Sequence, residues 1–252
     1  MNAIRDTWPL AVRMLKHNVR SPDTIMTTLV MPVMILLAFV FVLGGAMNTG
    51  ETRYVDFVVP VVIMFAIVSG VSYTAWRVNQ DVTTGMQDRL RTMPIARPAL
   101  TGGHVVASVV VNVVSVVILF GLALLIGYRP RAGLAGWGVT VGLLVAALVA
   151  FTIMGVAFGL LARTSEGAGM FAYVVMALLF VSSGFAPTST MPAGLRAFAQ
   201  YQPLTPVIDA IRGAQLGSGD AITTWAGLGW LVVIGVAFGT LAAVAARRPR
   251  RP

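Results

Sequence analysis

The sequence predicts an all-α membrane protein, and its composition and hydropathy pattern support this. Hydrophobic residues make up 57% of the 252 residues, charged residues only 11%, and the mean hydropathy is +0.84. Soluble domains have about 25% charged residues, so this chain has too little polar surface to cover its apolar residues in water. Long apolar stretches also alternate with short polar ones. We therefore expect one transmembrane domain over residues 1–252.

Six membrane spans follow from the lengths of the apolar stretches. A helix needs about 20 mostly apolar residues to cross the hydrocarbon core, and no stretch has a charged residue in its central part. The first is not expected to be a signal peptide, because four basic residues precede a long apolar run without a cleavage site. The predicted spans are about 24–47, 56–76, 104–127, 137–162, 168–187 and 224–246.

The basic residues predict the orientation of these spans. Thirteen of the 18 Lys and Arg residues lie in the N-terminal segment, the 77–103 loop, the 163–167 turn and the C-terminal tail. Cytoplasmic loops are enriched in Lys and Arg, so we expect both termini and the 77–103 loop in the cytoplasm. The bias toward Arg, Ala, Val and Gly indicates a high-GC bacterial genome, and thus a multi-pass protein of a bacterial cell membrane.

Residues 5–20 are predicted to form an amphipathic helix in the headgroup plane. Basic residues fill one arc of the helix, and Ser21–Pro22 ends it. Two roles stay open for it: a simple membrane anchor, or a lever at the cytoplasmic surface. The apolar arc consists of Trp8, Ala11, Val12, Leu15 and Val19.

A short charged helix is predicted near residues 85–92, between spans two and three. A capping-box spacing begins at Thr84, and Pro94 limits the helix at its other end. Asp88 and Arg91 suit the two ends of the helix dipole. Two turns are not stable alone, so this helix has to dock on its own bundle or on another protein. A generic polar loop is the alternative.

The segment 188–219 is predicted to form a short amphipathic hairpin that dips into the outer leaflet. It is too polar and too interrupted by proline to span the bilayer. Thr205 is placed to cap a helix that has Pro206 in its first turn, and Asp209 and Arg212 are spaced to pair at i, i+3. A solvated loop is the alternative.

No catalytic or phosphate-binding motif is visible. The chain has no cysteine, and His17 and His104 lack the spacing of metal ligands. Lys16 is the only lysine, and it is not part of a P-loop. We therefore expect no catalytic residue, metal or cofactor in this chain. The net charge of +9 is dispersed between apolar spans, which favours contact with anionic lipid headgroups over nucleic acid.

Neutral polar residues are the candidates for a substrate pathway. Ion-coupled carriers usually keep charged relay groups inside the bundle, and the predicted spans lack them, so energy for transport is expected to enter from outside the chain. Each hydroxyl has a structural alternative, a bond to the carbonyl four residues earlier. The candidates are Thr28, Ser69, Ser72, Tyr73, Ser182 and Ser183.

Two identical GVAFG pentapeptides occur in the spans, at 155–159 and 235–239. Each has glycines four residues apart, a pattern that permits close helix approach. The pattern is also frequent by chance in apolar spans, so a packing role and coincidence both stay open.

In their order along the chain, these features resemble the membrane subunit of ABC-2 type exporters, most closely the daunorubicin-resistance permease group. The resemblance covers essentially the whole chain. Its most specific parts are GMQDRLRTMPIAR at 85–97 and QPLTPVIDAIRG at 202–213.

The resemblance implies a half-transporter with the type V exporter fold. That fold has six spans, a cytoplasmic coupling helix between spans two and three, and re-entrant extracellular helices between spans five and six. Family members pair two permease subunits, identical or closely homologous, with two copies of a separate ATPase subunit that binds ATP and Mg. The implied function is export of an amphipathic drug, antibiotic or lipid-like substrate through a membrane whose lipids contact the chain.

By position, the resemblance also assigns two groups of site residues. Asp is a mild departure from the Glu often found near positions 81 and 88. Two other functions stay open: a non-transport scaffold or immunity protein, and an ion-coupled secondary carrier. The implied coupling contact with the ATPase comprises Asp81, Gly85, Asp88, Arg89, Arg91 and Pro94, and the implied extracellular gate element comprises Pro203, Pro206, Asp209 and Arg212.

Overall fold

The computed structural model describes residues 3–46, 53–84 and 97–247, and this part of the chain is helical without any strand. A 3₁₀ turn lies at Thr188–Thr190. The helices are α1 (Ala3–Arg20), α2 (Pro22–Leu43), α3 (Tyr54–Thr83), α4 (Arg97–Leu125), α5 (Leu134–Leu161), α6 (Ser165–Phe180), α7 (Ala193–Tyr201), α8 (Leu204–Leu216) and α9 (Ala221–Arg247).

Five of these helices, α2, α3, α4, α5 and α9, are long and apolar enough to cross a membrane. The predicted fifth span corresponds to the shorter apolar helix α6. This helix ends at Phe180, before the predicted end of the span at residue 187. The Ser182 hydroxyl donates to the Leu179 carbonyl at 2.6 Å and accepts from the Gly184 N–H at 3.0 Å, so side-chain bonds replace the next helical turn.

The helix α3 is the centre of the bundle. In its most apolar stretch of 18 residues, 94% of the residues are buried, against 6% in the corresponding stretch of α9. Residues such as Val58, Ile63 and Val68 are fully buried, and α4, α5, α6 and α8 all contact α3. A helix enclosed on all sides has no polar face, which explains why this stretch of the sequence is apolar all round.

The helix α2 includes two π-helical turns, Met26–Val30 and Ala38–Leu43. After the first, the Met31 N–H bonds the Met26 carbonyl five residues earlier. The next residue, Pro32, has no N–H and cannot continue the regular hydrogen-bond pattern. The proline accounts for the wider turn at this position.

The start of α8 differs from the sequence prediction. The helix begins at Leu204 after Pro203, and no side chain caps it. Thr205 was predicted as the cap, but its hydroxyl donates to the Ala199 carbonyl on α7 at 2.5 Å. This prediction is wrong because the hydroxyl joins α7 to α8 instead of closing the first turn of α8.

The two GVAFG pentapeptides pack differently. A Cβ atom on Gly159 would lie 2.7 Å from the Ala75 carbonyl oxygen of α3, and one on Gly155 would lie 2.5 Å from a side chain of the same helix. In the second pentapeptide, a Cβ on Gly239 would have its nearest contact at 3.7 Å, an ordinary van der Waals distance. Close helix approach at the glycines is therefore confirmed for the first pentapeptide and not for the second.

Gly70 of α3 faces Asn112 of α4 at equally short range. A Cβ on Gly70 would lie 2.2 Å from the Asn112 Oδ1 atom. The Asn112 side chain is buried, and its Nδ2 donates to the Ser108 carbonyl at 2.9 Å. The space beside Gly70 is therefore occupied by a buried amide that is itself held in place.

We expect Gly70→Ala to lower the thermal unfolding midpoint of the detergent-purified protein, because the added methyl group must displace the Asn112 amide. Overpacking of this kind costs about 1–3 kcal/mol. Gly142→Ala is the matched control, since a Cβ at Gly142 meets nothing within 4 Å. Equal midpoints for the two variants would contradict the assigned contact.

Candidate functional site

A largely buried arginine, Arg212, whose side chain is 12% exposed, joins three elements at the end of the bundle where α3 begins. The Arg212 Nη1 atom lies 2.7 Å from the Asp209 Oδ1 atom, which confirms the predicted i, i+3 pair. The Arg212 Nε donates to the Phe57 carbonyl at 3.1 Å, and its Nη2 donates to the Ser183 carbonyl at 2.9 Å. We call Arg212, Asp209, Ser183 and Phe57 the Arg212 network.

The surroundings of Arg212 explain how a cation is held here. The guanidinium carbon lies 3.8 Å from the centre of the Phe57 ring, a cation–π contact. Burial lowers the pKa of Arg212, whereas the charge of Asp209 and the hydrogen bond to it raise the pKa. The Ser183 hydroxyl also donates to the Asp209 carboxylate at 2.6 Å. The network therefore ties α8 to the first turns of α3 and to the chain that follows α6.

A second set of polar contacts lies at the same end of the bundle. Asp56 pairs with Arg53 at 2.9 Å and accepts from the Arg129 backbone N–H at 3.1 Å. The Tyr128 hydroxyl donates to the Gln215 side-chain oxygen. Burial, and then the charge of Asp56, raise the pKa of Tyr128, so its hydroxyl stays protonated and able to donate. These contacts tie the connection between α4 and α5 to both α3 and α8.

The opposite end of the bundle is held by Asn79 of α3. Its side chain is fully buried, and its Nδ2 donates to the carbonyls of Gly159 at 3.0 Å and Ala162 at 2.7 Å. The Ser165 hydroxyl donates to the Asn79 Oδ1 at 3.3 Å. One amide thus joins α3 to the turn between α5 and α6. The predicted span 56–76 stops before Asn79, so its role did not emerge from the sequence.

The structure describes one of the six predicted coupling residues. The carboxylate of Asp81 lies 3.0 Å from the Nε2 atom of His104 at the start of α4. Its contact with an ATPase stays a prediction. The other five, Gly85, Asp88, Arg89, Arg91 and Pro94, and the short helix predicted around them, lie outside the described residues.

The six candidate pathway residues do not converge on one site. Thr28 and Ser69 donate to carbonyls four residues earlier, which is the structural alternative considered for them, and Ser182 donates to the carbonyl three residues earlier. The other three hydroxyls contact separate elements: Ser72 the Gly169 carbonyl, Tyr73 the Ser21 hydroxyl, and Ser183 the Asp209 carboxylate. A role in substrate transport stays a prediction for all six.

An apolar pocket between α5, α6, α8 and α9 did not emerge from the sequence, because four helices build it. Its volume is about 480 Å³, within the range of pockets that bind drug-sized ligands. Two of its rings, Phe158 and Phe171, stack at 4.9 Å with an interplanar angle of 11°. Its lining includes Phe151, Met154, Phe158, Phe171, Pro203 and Phe238.

The gate residues implied by the resemblance all lie at or on α8. Pro203 precedes the helix and lines the apolar pocket, whereas Asp209 and Arg212 belong to the Arg212 network. The backbone at Pro206 packs closely against α9, where a Cβ on Gly227 would lie 3.2 Å from the Pro206 carbonyl oxygen. Within the described part of the chain, no group of three or more His, Cys, Asp or Glu side chains is placed to hold a metal ion.

Comparison with known proteins places this helical bundle in a family. A family model described as ABC-2 family transporter protein matches residues 46–244, which include α3, the Arg212 network and the apolar pocket. The chain belongs to the ABC-2 transporter family. The resemblance inferred from the sequence is confirmed, and this ABC-2 protein is a multi-pass permease subunit of an ABC transporter.

Relatives of this ABC-2 permease carry drug-resistance names. It is 30% identical to the "Daunorubicin resistance ABC transporter permease protein DrrB1" of Streptomyces coeruleorubidus over 200 residues. The aligned region covers 78% of this chain and 70% of that relative. It is 24% identical over 213 residues to the "Probable doxorubicin resistance ABC transporter permease protein DrrC" of Mycobacterium tuberculosis, covering 81% and 75%.

Proposed function

We propose that this permease exports an amphipathic drug, antibiotic or lipid-like molecule with energy from ATP hydrolysed by a separate subunit. The observation that carries the proposal is the apolar, phenylalanine-rich pocket between α5, α6, α8 and α9. A pocket of this size and chemistry accommodates the apolar body of a drug-sized molecule. The drug-resistance names of two relatives support the same class of substrate.

We also propose a six-span topology with both termini in the cytoplasm of a bacterial cell. The fifth span is α6, which is extended by the turn that the Arg212 network holds. The helices α7 and α8 have 9 and 13 residues, too few to cross a bilayer, so they form a re-entrant extracellular pair. In this topology Pro203, Pro206, Asp209 and Arg212 belong to an extracellular gate element.

The working complex in this proposal contains two permease copies, identical or closely homologous, and two ATPase subunits that bind ATP and Mg. The residues that the family resemblance assigns to the ATPase contact are Asp81, Gly85, Asp88, Arg89, Arg91 and Pro94. In the most apolar 18-residue stretches of α2 and α9, only 17% and 6% of the residues are buried within this chain. Their exposed apolar surface supports contacts with lipids and with the second permease copy.

The test of coupling is a double charge reversal, Arg89→Glu with Arg91→Glu. We expect ATP-dependent daunorubicin accumulation in inside-out vesicles to fall at least tenfold, because two acidic side chains would replace the cations at the proposed contact with the ATPase. Membrane insertion is expected to be retained. The matched control is Arg248→Glu with Arg250→Glu, the same charge change in the C-terminal tail. Unchanged transport by the first variant would exclude the coupling role of these two residues.

The same vesicles separate the proposed exporter from the two other functions. An ATP-driven exporter keeps transporting when a protonophore collapses the proton gradient, whereas an ion-coupled carrier stops under the same ATP-replete conditions. A scaffold or immunity protein gives no ATP-dependent accumulation at all. Copurification of a nucleotide-binding ATPase with the tagged permease is the corresponding biochemical result expected for the exporter.

A further inference from the structure

We propose that α3 and α4 move as one rigid unit during transport, and that the contact between Asp81 and His104 positions the segment between them. Two polar contacts and one close approach, at successive levels of the two helices, carry this inference: Asp81 with His104, Thr74 with Ser108, and Gly70 against Asn112. We call them the α3–α4 ladder. The inference rests on the proposed function, since it concerns how work done by an ATPase enters the permease.

The ladder residues of α4 form a line along that helix. His104, Ser108 and Asn112 follow one another at intervals of four residues, so they lie along one face of α4. Each meets α3 at a different depth. His104 lies 3.0 Å from the Asp81 carboxylate, and the Ser108 hydroxyl lies 2.8 Å from the Thr74 hydroxyl. At the third level the Asn112 side chain fills the space that a side chain on Gly70 would take, since a Cβ there would lie 2.2 Å from the Asn112 Oδ1 atom. Two polar contacts and this close fit together resist both sliding and rotation of α4 against α3.

Separating α3 from α4 inside a bilayer would expose buried polar groups. Ser108, Asn112 and Thr74 are all buried, and within the hydrocarbon core no water replaces a lost hydrogen-bond partner. The Asn112 Oδ1 atom has no hydrogen-bond partner and fits only because Gly70 has no side chain. Moving α4 along α3 would drive this amide into the side chains on either side of Gly70. The ladder therefore favours a single register of the two helices.

The ladder starts next to the predicted coupling segment. α3 ends at Thr83 and α4 begins at Arg97, so Asp81 and His104 flank the predicted coupling segment on both sides. A displacement of that segment then reaches α3 and α4 together. The helix α1 packs against α4, since a Cβ on Gly102 would lie 3.1 Å from the Thr7 hydroxyl oxygen. We therefore expect α1 to move together with α4.

The ladder indicates a role for Asp81 other than contact with the ATPase. The resemblance assigns this residue to the ATPase contact, whereas its carboxylate is directed at His104 and its side chain is 29% exposed. We infer that Asp81 is a positioning residue that acts through His104. The two assignments predict different behaviour for variants of His104, which the resemblance does not assign to the ATPase contact.

A disulfide across the ladder tests whether the two helices move together. The chain has no cysteine, so Thr74→Cys with Ser108→Cys introduces the only two thiols. Hydroxyls 2.8 Å apart place the two Cβ atoms near the spacing that a disulfide needs. After oxidation, confirmed by loss of maleimide labelling, we expect daunorubicin export by the complete complex to stay within about twofold of the reduced protein. The oxidised single-cysteine variants are the controls.

Loss of export on oxidation, with recovery on reduction, would overturn the inference, since it would show that α3 and α4 must separate. Absence of ATP-dependent export by the unaltered complex would instead overturn the proposed function itself. The two failures are therefore distinguishable in one set of vesicles.

Variants of the Asp81–His104 contact test its positioning role. We expect Asp81→Asn and His104→Gln each to lower export about tenfold while the ATPase rate of the complex is retained, so that transport per ATP hydrolysed falls. The double variant should be no worse than either single variant, because both disrupt one interaction. The exchange Asp81→His with His104→Asp should restore part of the export. Normal export by His104→Gln alongside a defect in Asp81→Asn would overturn the positioning role.

Discussion

Arg212→Ala is expected to cause the largest loss of stability of any substitution at the Arg212 end of the bundle. The change removes the donor to the Phe57, Ser183 and Gly184 carbonyls and leaves the Asp209 carboxylate without its cation. Leaving a buried hydrogen-bond acceptor without its donor costs about 1–3 kcal/mol, and Arg212→Ala does this to three carbonyls. We therefore expect little folded protein by fluorescence size-exclusion chromatography, and no measurable export.

Two further variants separate the charge pair from the other contacts of Arg212. Asp209→Asn should lower the stability less than Arg212→Ala does. The Asp209 side chain is 38% exposed, against 12% for Arg212, so water can solvate the group at position 209. Arg196→Ala is the control in α7, where the arginine is exposed and donates only to the nearby Ser189 and Met191 carbonyls. Equal unfolding midpoints for Arg212→Ala and Arg196→Ala would contradict the structural role assigned to Arg212.

Gly159→Val is expected to have a comparable effect at the opposite end of the bundle. Besides the Ala75 carbonyl, a Cβ at this position would approach the Val78 Cβ to 2.8 Å, and valine would add two further methyl groups. Helices α3 and α5 would have to separate, which would also break the bond from Asn79 to the Gly159 carbonyl. Overpacking alone costs about 1–3 kcal/mol, so we expect most of the variant to be misfolded or degraded.

The chain provides its own matched control for this prediction. Gly239→Val makes the same change at the same place in an identical GVAFG pentapeptide, and its nearest neighbour, the Ile153 Cγ2 atom at 3.7 Å, leaves room for adjustment. We expect the yield and unfolding midpoint of Gly239→Val to stay close to those of the unaltered protein. Similar losses in both variants would mean that the pentapeptide matters for a reason other than the contact with α3.

Much of the fold was predictable because membrane insertion depends on local properties of the chain. Five of the six predicted spans correspond to helices that are long enough to cross a bilayer, and the amphipathic pattern of residues 5–20 corresponds to α1. The pair of Asp209 and Arg212 was predictable for the same reason, since i, i+3 spacing alone brings the two side chains together. The family, too, was accessible from the order of the elements and two specific stretches.

The remaining features depend on which helices become neighbours. Thr205 bonds to α7 instead of capping α8, and Asn79 reaches the turn between α5 and α6. The GVAFG pentapeptides make the distinction plain: their local propensities are identical, yet only the first lies against the central helix α3. Hydropathy and length are summed along the chain, so they were sufficient to find the spans. Close contacts and hydrogen-bond partners are set by which helices become neighbours, and only the packed bundle decides that.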